Sequence, residues 1–204
     1  MTLDELAARI AQVPRVRHRR IIAIAGPPAS GKSTIAEQLA ERIPNACVVP
    51  MDGFHLDNET LDRMGQRHRK GAAHTFDAGG FVALVRSMQK EGPVLYPLFD
   101  RTRDCVVPNA SSIPADCDTV IVEGNYLLLT DAPWDALTSE WDFSVYLDVP
   151  MEVLRARLIQ RWLDHGLNRQ DAVNRAESND LINAEFLGQF GERADLICPI
   201  LSQN

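Results

Sequence analysis

A glycine-rich run near the amino terminus places a lysine and a hydroxyl at a spacing that suits phosphate binding. Residues 26–33 are Gly-Pro-Pro-Ala-Ser-Gly-Lys-Ser, which follows the Walker A pattern G-x-x-x-x-G-K-[ST]. The glycines let backbone N–H groups curl around a polyphosphate, and a helix that follows adds its partial positive charge. Lys32 is expected to reach the β- and γ-phosphates, and the Ser33 hydroxyl to bind Mg²⁺. We therefore predict that ATP binds to Gly26, Pro28, Ala29, Ser30, Gly31, Lys32, Ser33 and Thr34.

The segments on either side of this loop have the character that the motif needs. Residues 21–25 are an unbroken apolar run, typical of a strand that is buried on both faces. From Thr34 to Ile43 the apolar residues recur at a helical spacing. The alternative is a chance match at a glycine turn, and the strand–loop–helix context disfavours it.

Two acidic residues follow two further predicted strands. Asp52 comes directly after residues 47–51, and Glu123 directly after residues 119–122. In a parallel sheet, ligands bind at the carboxyl ends of the strands, so both acids should face the phosphate loop. One carboxylate would orient an attacking hydroxyl and accept its proton, and the other would bind Mg²⁺. The alternative for each acid is a structural role, as a helix cap or an acceptor for loop amides.

The pattern of elements predicts an α/β fold. Apolar runs also indicate strands at 94–96, 143–147 and 195–199, and periodic segments indicate helices at 3–13, 77–88, 150–164 and 171–187. Strands that alternate with helices favour a three-layer α/β/α sandwich of the P-loop NTPase type, with a mainly parallel five-stranded sheet and a helical lid. We predict one domain over 1–204, comprising an N-terminal helix with a basic lead-in (1–20), an acceptor-site region (53–109) and a lid (155–175).

Composition narrows the classes of partner. The chain has a net charge of −7, with 45% hydrophobic and 24% charged residues, as in an ordinary globular protein. This balance argues against nucleic acid or a membrane as the main partner.

The four cysteines lack metal-ligand spacing, and no secretion signal or membrane-spanning run is present, so we expect reduced thiols and a cytoplasmic location. The oligomeric state stays open, with a homodimer as one alternative to a monomer. The basic run 15–20 is interpreted as a solvated face, with electrostatic steering of ATP as the alternative.

Several segments together resemble those of P-loop small-molecule kinases, the group that includes uridine kinase, phosphoribulokinase and bacterial pantothenate kinase. They are Met51-Asp52-Gly53-Phe54-His55, Lys70-Gly71-Ala72-Ala73-His74-Thr75-Phe76-Asp77, Pro97-Leu98-Phe99-Asp100, Val122-Glu123-Gly124 and Ala194-Asp195-Leu196-Ile197-Cys198-Pro199. The resemblance spans residues 21–199. Within the group, the nearest likeness is to bacterial proteins labelled fructose transport system kinases or nucleoside-kinase-like proteins.

This resemblance implies an activity and a set of site residues. It implies an ATP- and Mg²⁺-dependent enzyme that moves the γ-phosphoryl group to a hydroxyl of a sugar, a nucleoside or a pantothenate-like alcohol. Asp52 is the implied catalytic base. The implied acceptor-binding residues are His55, Lys70, Phe99, Asp100, Arg103 and Glu123.

Departures from the relatives disfavour uridine as the acceptor. Lys70-Gly71-Ala72 stands where uridine kinases have a ribose-binding aspartate, and Phe99 replaces a tyrosine. Lys70, Arg101 and Arg103 would suit an acceptor that carries a phosphate or carboxylate, because guanidinium groups bind such anions in a bidentate manner. The alternative is that these arginines are solvated surface residues.

The arginine-rich segment 155–175 is interpreted as the lid. Kinases of this type close such a lid so that cations meet the transferring phosphoryl group and water is excluded. We predict that role for Arg161 and Arg169, which flank the break at Gly166, although helix-surface ion pairs remain the alternative for each. Asn179, Asp180 and Asn183 lie at a helical spacing and either support the lid or acceptor or form a polar helix surface.

Two functional classes remain. The first is a kinase that phosphorylates a small metabolite, and the second is a P-loop NTPase whose hydrolysis switches a partner protein. Asp52, the polar acceptor-site region and the lid favour the kinase. The Asn-Lys-x-Asp motif and the aspartate at the Walker B position that are typical of switch proteins are both missing from the sequence.

Overall fold

The computed structural model describes residues 1–199, which form one α/β unit. The strands are β1 (Arg20–Ala25), β2 (Ala46–Pro50), β3 (Val94–Asp100), β4 (Cys105–Ile113), β5 (Thr119–Gly124), β6 (Phe143–Asp148) and β7 (Leu196–Pro199). The α-helices are α1 (Leu3–Ala11), α2 (Lys32–Arg42), α3 (Asn58–Arg63), α4 (Ala78–Ser87), α5 (Met151–Asp164), α6 (Arg169–Arg175) and α7 (Leu181–Gly188).

Five strands form a parallel sheet in the order β2-β5-β1-β6-β7. Alternate residues of β1 face opposite layers: Ile21 and Ala23 pack into one hydrophobic cluster, and Ile22 and Ile24 into another. Helices α1 and α2 contribute to the second cluster and α4 to the first, so helices cover both faces of the sheet. The predicted three-layer sandwich with a five-stranded parallel sheet is confirmed.

The predicted strand at 94–96 exists, but it lies outside the main sheet. It is part of β3, which pairs with β4 in a separate antiparallel hairpin whose register shifts between Tyr96 and Leu98. The sequence did not reveal β4, because this strand carries Pro108, Asn109 and two serines and lacks an apolar alternation. The acceptor-site region is therefore more ordered than a loop, with α3, α4 and the hairpin β3–β4 built into it.

Three short helices, α5, α6 and α7, make up what we call the lid helices. Pro150 is the residue directly before α5, and Gly166 follows the end of this helix with a φ of +87°, a left-handed conformation that glycine adopts without strain. The helix predicted at 171–187 is present, but a π-helical turn, Ala176–Asp180, interrupts it. The lid helices pack around a small hydrophobic cluster of their own, which includes Leu154, Leu158 and Ala184.

The interpretation of residues 15–20 as a solvated basic face is wrong for Arg19. This side chain is fully buried and donates hydrogen bonds to five backbone carbonyls, those of Met88, Lys90, Gly92, Pro114 and Cys117. The run ends at Arg20, the first residue of β1, so it lies at the opposite end of the strand from the phosphate loop. Arg19 therefore anchors loops at the amino-terminal edge of the sheet. The position of the run does not support the alternative that it steers ATP.

The cysteines are free thiols, with Cys117 and Cys198 buried and Cys47 and Cys105 half-buried. The Sγ atoms of Cys47 and Cys117 lie 2.8 Å apart. No helix within residues 1–199 is both long enough and apolar enough to cross a membrane.

Candidate active site

The phosphate loop joins β1 to α2 and is shaped by two left-handed residues. Ala29 has a φ of +63° and Gly31 a φ of +96°, so the chain reverses tightly before α2 begins at Lys32. The N–H groups of the first helical turn have no carbonyl partner within the helix and point to the space above the loop. This curled backbone suits a polyphosphate, as the sequence predicts.

Lys32 lies buried beneath this loop. Its Nζ donates to the carbonyl oxygen of Pro27 at 2.9 Å. Burial lowers the pKa of Lys32, and the nearby carboxylates of Glu123 and Asp52 oppose that shift. A phosphate group beside the ammonium would compensate the buried charge, so the site fits an anion.

Ser33 and Glu123 form a pair of oxygen ligands at the end of β5. The Ser33 hydroxyl donates to Glu123 Oε1 at 3.0 Å, and Glu123 is only 6% exposed. Burial raises the pKa of Glu123, with Lys32 acting in the opposite direction. Residues 1–199 contain no cluster of three or more His, Cys, Asp or Glu side chains able to hold a metal alone. Two protein oxygens therefore fit Mg²⁺ only if phosphates and water supply its other ligands, which is the usual arrangement for this ion.

Asp52 lies in a 3₁₀ turn, Met51–Phe54, directly after β2. Its carboxylate accepts a hydrogen bond from Arg101 Nη2 at 2.5 Å. Gly53 allows the hairpin to approach, because a Cβ at this position would lie 2.1 Å from the carbonyl oxygen of Pro97. The glycine thus brings β3, and with it Arg101, against the candidate base.

An aromatic group extends from the candidate base into the acceptor-site region. The His55 ring lies between Phe76 and Phe99, with centroid distances of 4.1 and 4.6 Å. Its Nδ1 is 2.7 Å from the carbonyl oxygen of Asp52, and burial lowers the pKa of His55. These contacts hold the imidazole in one orientation beside Asp52.

Lys70 covers the outer side of this aromatic group. Its Nζ lies 5.0 Å from the centroid of the Phe99 ring and donates to Asn58 Oδ1 and to Asp104 Oδ1, both at 2.7 Å. Arg67 contacts the same Asp104 carboxylate at 3.6 Å. Two cations therefore share one acid at this wall of the site.

The lid helices supply the opposite wall. Trp162 Nε1 donates to Asp180 Oδ2 at 2.7 Å, and the guanidinium groups of Arg161 and Arg175 lie 5.9 and 5.2 Å from the Trp162 ring. Burial lowers the pKa of Arg161, and the charge of Arg101 adds to that effect. A partly desolvated guanidinium at the mouth of the site is suited to bind phosphate oxygens.

Hydrogen bonds tie the lid helices to both neighbouring walls. Arg157 donates to the carbonyl of Ala29 in the phosphate loop at 3.2 Å. Arg175 donates to the carbonyl of His68 at 3.0 Å, and Asn179 to that of Lys70 at 3.2 Å. In the other direction, Arg69 donates to the carbonyl of Ser178, in the π-helical turn, at 3.3 Å.

These three walls enclose a cavity of about 550 Å³. Residues from the phosphate loop, the strand ends, the acceptor-site region and the lid helices line it together. Its lining includes Pro28, Ala29, Gly31, Lys32, Ser33, Thr34, Asp52, His55, Arg67, Lys70, Phe76, Phe99, Arg101, Asp104, Glu123, Asn125, Arg161, Trp162, His165, Arg175, Asp180 and Asn183.

Comparison with known proteins assigns this site to a family. Residues 21–204 match the profile of the Phosphoribulokinase / Uridine kinase family. The chain belongs to this family. It is therefore a P-loop kinase by descent, which accounts for the phosphate loop, the strand-end acids and the lid on one scaffold.

Individual relatives support this kinship across most of the chain. A Schizosaccharomyces pombe protein named "Putative uridine kinase" is 38% identical, over 90% of this chain and 84% of its own. An Escherichia coli protein, "Uncharacterized protein YggC", is 37% identical over 94% and 82%. The crystal structure of a "putative fructose transport system kinase" from Silicibacter sp. TM1040 is 46% identical, with a TM-score of 0.94 over 98% of this chain and 100% of that one.

Most residues predicted for the site line the cavity of this family member, but five do not. Gly26 and the buried Ser30 shape the phosphate loop from behind its ligand-facing surface. Asp100 accepts hydrogen bonds from the backbone N–H groups of Thr102 and Arg103, so it stabilises the β3–β4 turn. Arg103 is exposed outside the cavity.

Arg169, the fifth residue, is likewise not brought to the cavity. It is the exposed first residue of α6, because Asn168 caps the helix at that point. The arginine beyond the Gly166 break that does reach the cavity is Arg175, near the end of the same helix. Arg161, the other arginine predicted to meet the phosphoryl group, does line the cavity.

Several cavity residues were absent from the predicted site. Arg67, Asp104 and Trp162 lie in segments whose sequence shows only charge or amphipathicity, so their roles depend on tertiary contacts. Asp180 and Asn183 had a signal in their helical spacing, and both line the cavity. Asn179 is buried behind them, where it holds the Lys70 carbonyl.

Proposed function

We propose that the protein transfers the γ-phosphoryl group of ATP to a hydroxyl group of a small metabolite. The observation that carries this proposal is the continuous cavity, in which two of the three walls differ in chemistry. One wall contains the phosphate-loop residues Lys32 and Ser33, and the other contains Asp52 and the aromatic group around Phe99. A cavity of this size holds a small molecule beside the end of a triphosphate.

Each group in the cavity has a task in this reaction. Asp52 accepts the proton of the acceptor hydroxyl as the bond to phosphorus forms. Lys32 and Arg161 bind the oxygens of the transferring phosphoryl group, whose negative charge they stabilise. Ser33 and Glu123 would hold Mg²⁺, which supplies charge neutralisation on the phosphates when it is bound.

The acceptor is proposed as a class: a sugar, a nucleoside or a pantothenate-like alcohol. The relatives' names point to different molecules. "Pantothenate kinase" of Chelativorans sp. is 31% identical over 70% of this chain, which spans about half of that relative, whereas the yeast relative is named for uridine. All these acceptors carry an alcohol group, which would lie between the aromatic group and the phosphate loop.

Hydrolysis of ATP to switch a partner protein is the second candidate. No observation specifically favours this candidate. The cavity wall that contains Asp52 and the aromatic group around Phe99 would have no role in a switch protein. The kinase is therefore the function that we test.

The test measures ADP formation by the purified protein with ATP and Mg²⁺, against a panel of sugars, nucleosides and vitamin alcohols. We expect one chemical class to raise the rate of ADP formation well above the acceptor-free rate, with the phosphorylated acceptor identified by mass. ATP hydrolysis that no member of the panel accelerates, but that a protein partner does, would overturn the proposal in favour of a switch.

The proposed metal site is tested separately. Excess chelator should abolish ADP formation, and Ser33→Ala should raise the Mg²⁺ concentration needed for half-maximal activity. Ser87→Ala is the control, because that hydroxyl bonds the carbonyl of Leu84 within α4, away from the cavity. An unchanged Mg²⁺ requirement in Ser33→Ala would contradict the metal assignment.

A further inference from the structure

The acceptor side of the cavity is richer in cations than the protein as a whole. The chain carries a net charge of −7. Nevertheless, six basic side chains line the cavity and only four acidic ones do. Of the basic residues, Lys32 and Arg161 belong to the phosphate side, and Arg67, Lys70, Arg101 and Arg175 surround the acceptor side.

The acids on this side do not balance the cations. Asp104 is shared between Lys70 and Arg67, at 2.7 and 3.6 Å, and Arg67 also pairs with Asp62, outside the cavity lining, at 3.2 Å. Asp180 accepts the indole N–H of Trp162; burial raises its pKa, and the charges of Arg161 and Arg175 act in the opposite direction. The remaining acid is Asp52, and it is paired with Arg101 at 2.5 Å.

The Arg101–Asp52 pair conflicts with the proposed role of the base. A carboxylate that accepts a strong hydrogen bond from a guanidinium has that oxygen occupied and its orientation fixed. Asp52 must, however, turn toward the acceptor hydroxyl to take its proton. A second anion that binds Arg101 would free the Asp52 carboxylate, and Arg101 is open to such an anion because its side chain is 55% exposed and lines the cavity.

We propose that the acceptor itself carries a phosphate or carboxylate group, which binds Arg101 and thereby releases Asp52 to act as the base. The inference rests on the proposed function and names the substrate class of the same site. Lys70, whose partner Asp104 is also contacted by Arg67, provides the second cation for that group. The structure shows one hydrogen bond from Arg101 to Asp52, whereas a guanidinium binds a phosphate or carboxylate through two parallel ones, so the acceptor anion would replace the charge of Asp52 and add a hydrogen bond.

Under this proposal, the anion of the acceptor must bind Arg101 before Asp52 can act as the base. With no acceptor bound, Arg101 occupies one oxygen of the Asp52 carboxylate, which limits its use as a base for hydrolysis of ATP. A neutral alcohol leaves Arg101 on Asp52 and is a poor acceptor for the same reason. Arg101 is thus a specificity-determining residue that contacts the acceptor and controls the base.

The first test needs no knowledge of the acceptor. Acceptor-free ATP hydrolysis is measured for the wild type, for Arg101→Gln and for Arg103→Gln, the control from the same β3–β4 turn, whose side chain lies outside the cavity. We expect Arg101→Gln to hydrolyse ATP about tenfold faster than the wild type, at the low end of what a positioned base contributes, because water is poorly oriented there. The increase should disappear in Asp52→Asn/Arg101→Gln. An Arg101→Gln rate equal to that of the control, or an increase that persists without Asp52, overturns the release of the base.

The second test addresses the class of acceptor through binding. Thermal shift in the presence of ADP and Mg²⁺ compares matched pairs: glycerol with glycerol 3-phosphate and with glycerate, fructose with fructose 6-phosphate, and uridine with uridine 5′-monophosphate. We expect an anionic member to stabilise the protein more than its neutral partner, and Arg101→Gln, but not Arg103→Gln, to weaken that binding about tenfold, as for loss of one charged hydrogen-bonding group.

The two outcomes separate this inference from the proposed function. A panel in which neutral members bind and react at least as well as the anionic ones overturns the anion inference and leaves the kinase intact. Anion binding that depends on Arg101, with no transfer to any acceptor, supports the inference and contradicts the kinase.

Discussion

Arg19 should contribute an unusually large share of the stability of this protein. Its side chain has no exposed surface, and five backbone carbonyls accept from it at distances of 2.5–3.2 Å. Arg19→Met keeps an unbranched apolar stem and removes all five donors. At about 1 kcal/mol for each hydrogen bond, and with partial rehydration of the three less buried ones, the variant should lose about 3–5 kcal/mol. That is a large fraction of the roughly 5–15 kcal/mol that stabilises a typical domain.

Urea denaturation followed by circular dichroism measures this loss as a fall in the midpoint at constant slope. Arg17→Met is the matched control, since that exposed arginine makes two surface contacts, to Ser139 and Glu140, and its loss should cost less than about 1 kcal/mol. If Arg19→Met loses no more than the control, the buried hydrogen bonds are not the anchor that we infer.

Three further predictions concern the site. Because burial penalises its charge, Lys32→Met should keep or raise the stability of the nucleotide-free protein while abolishing ATP turnover; near-normal turnover in a folded variant would rule out the nucleotide site. Asp52→Asn should bind ATP normally by calorimetry, yet transfer to the acceptor roughly 10²–10⁴-fold more slowly, and loss of ATP binding would instead make Asp52 a ligand of the nucleotide or metal. Burial raises the pKa of Asp180 in the folded protein. Between about pH 3.9, the ordinary value for the unfolded chain, and this raised pKa, the folded state therefore binds more protons than the unfolded state. As the pH rises through this range, the free energy of unfolding of the wild type should fall relative to that of Asp180→Asn. Parallel pH profiles of the two proteins would contradict that assignment.

The parts of the fold that could be predicted are those determined by local pattern. The apolar runs of β1, β5 and β6 and the phosphate loop between β1 and α2 have signals within a dozen residues. Asp52 and Glu123 could be placed because the carboxyl ends of parallel strands must meet at one edge of the sheet.

What could not be predicted depends on contacts between distant segments. Arg19 has the same sequence context as its exposed neighbours, and only the convergence of loops near residues 88–92 and 114–117 buries it. The choice between Arg169 and Arg175 depended on where Asn168 starts α6, a boundary that periodicity locates poorly. The pairing of Arg101 with Asp52 follows from the close approach of Pro97 to Gly53, which no linear pattern shows.

The hydrogen bonds between the lid helices and residues 68–70 have a thermodynamic consequence. Arg69, Arg175 and Asn179 join the lid helices to residues 68–70, so a movement of the lid helices would break these bonds or carry the Lys70 segment with it. In the proposed kinase, the affinities for the nucleotide and the acceptor would then be linked, and by reciprocity each would change the affinity for the other by the same factor. Asn179→Ala, which touches neither substrate, would reduce that factor rather than either affinity alone.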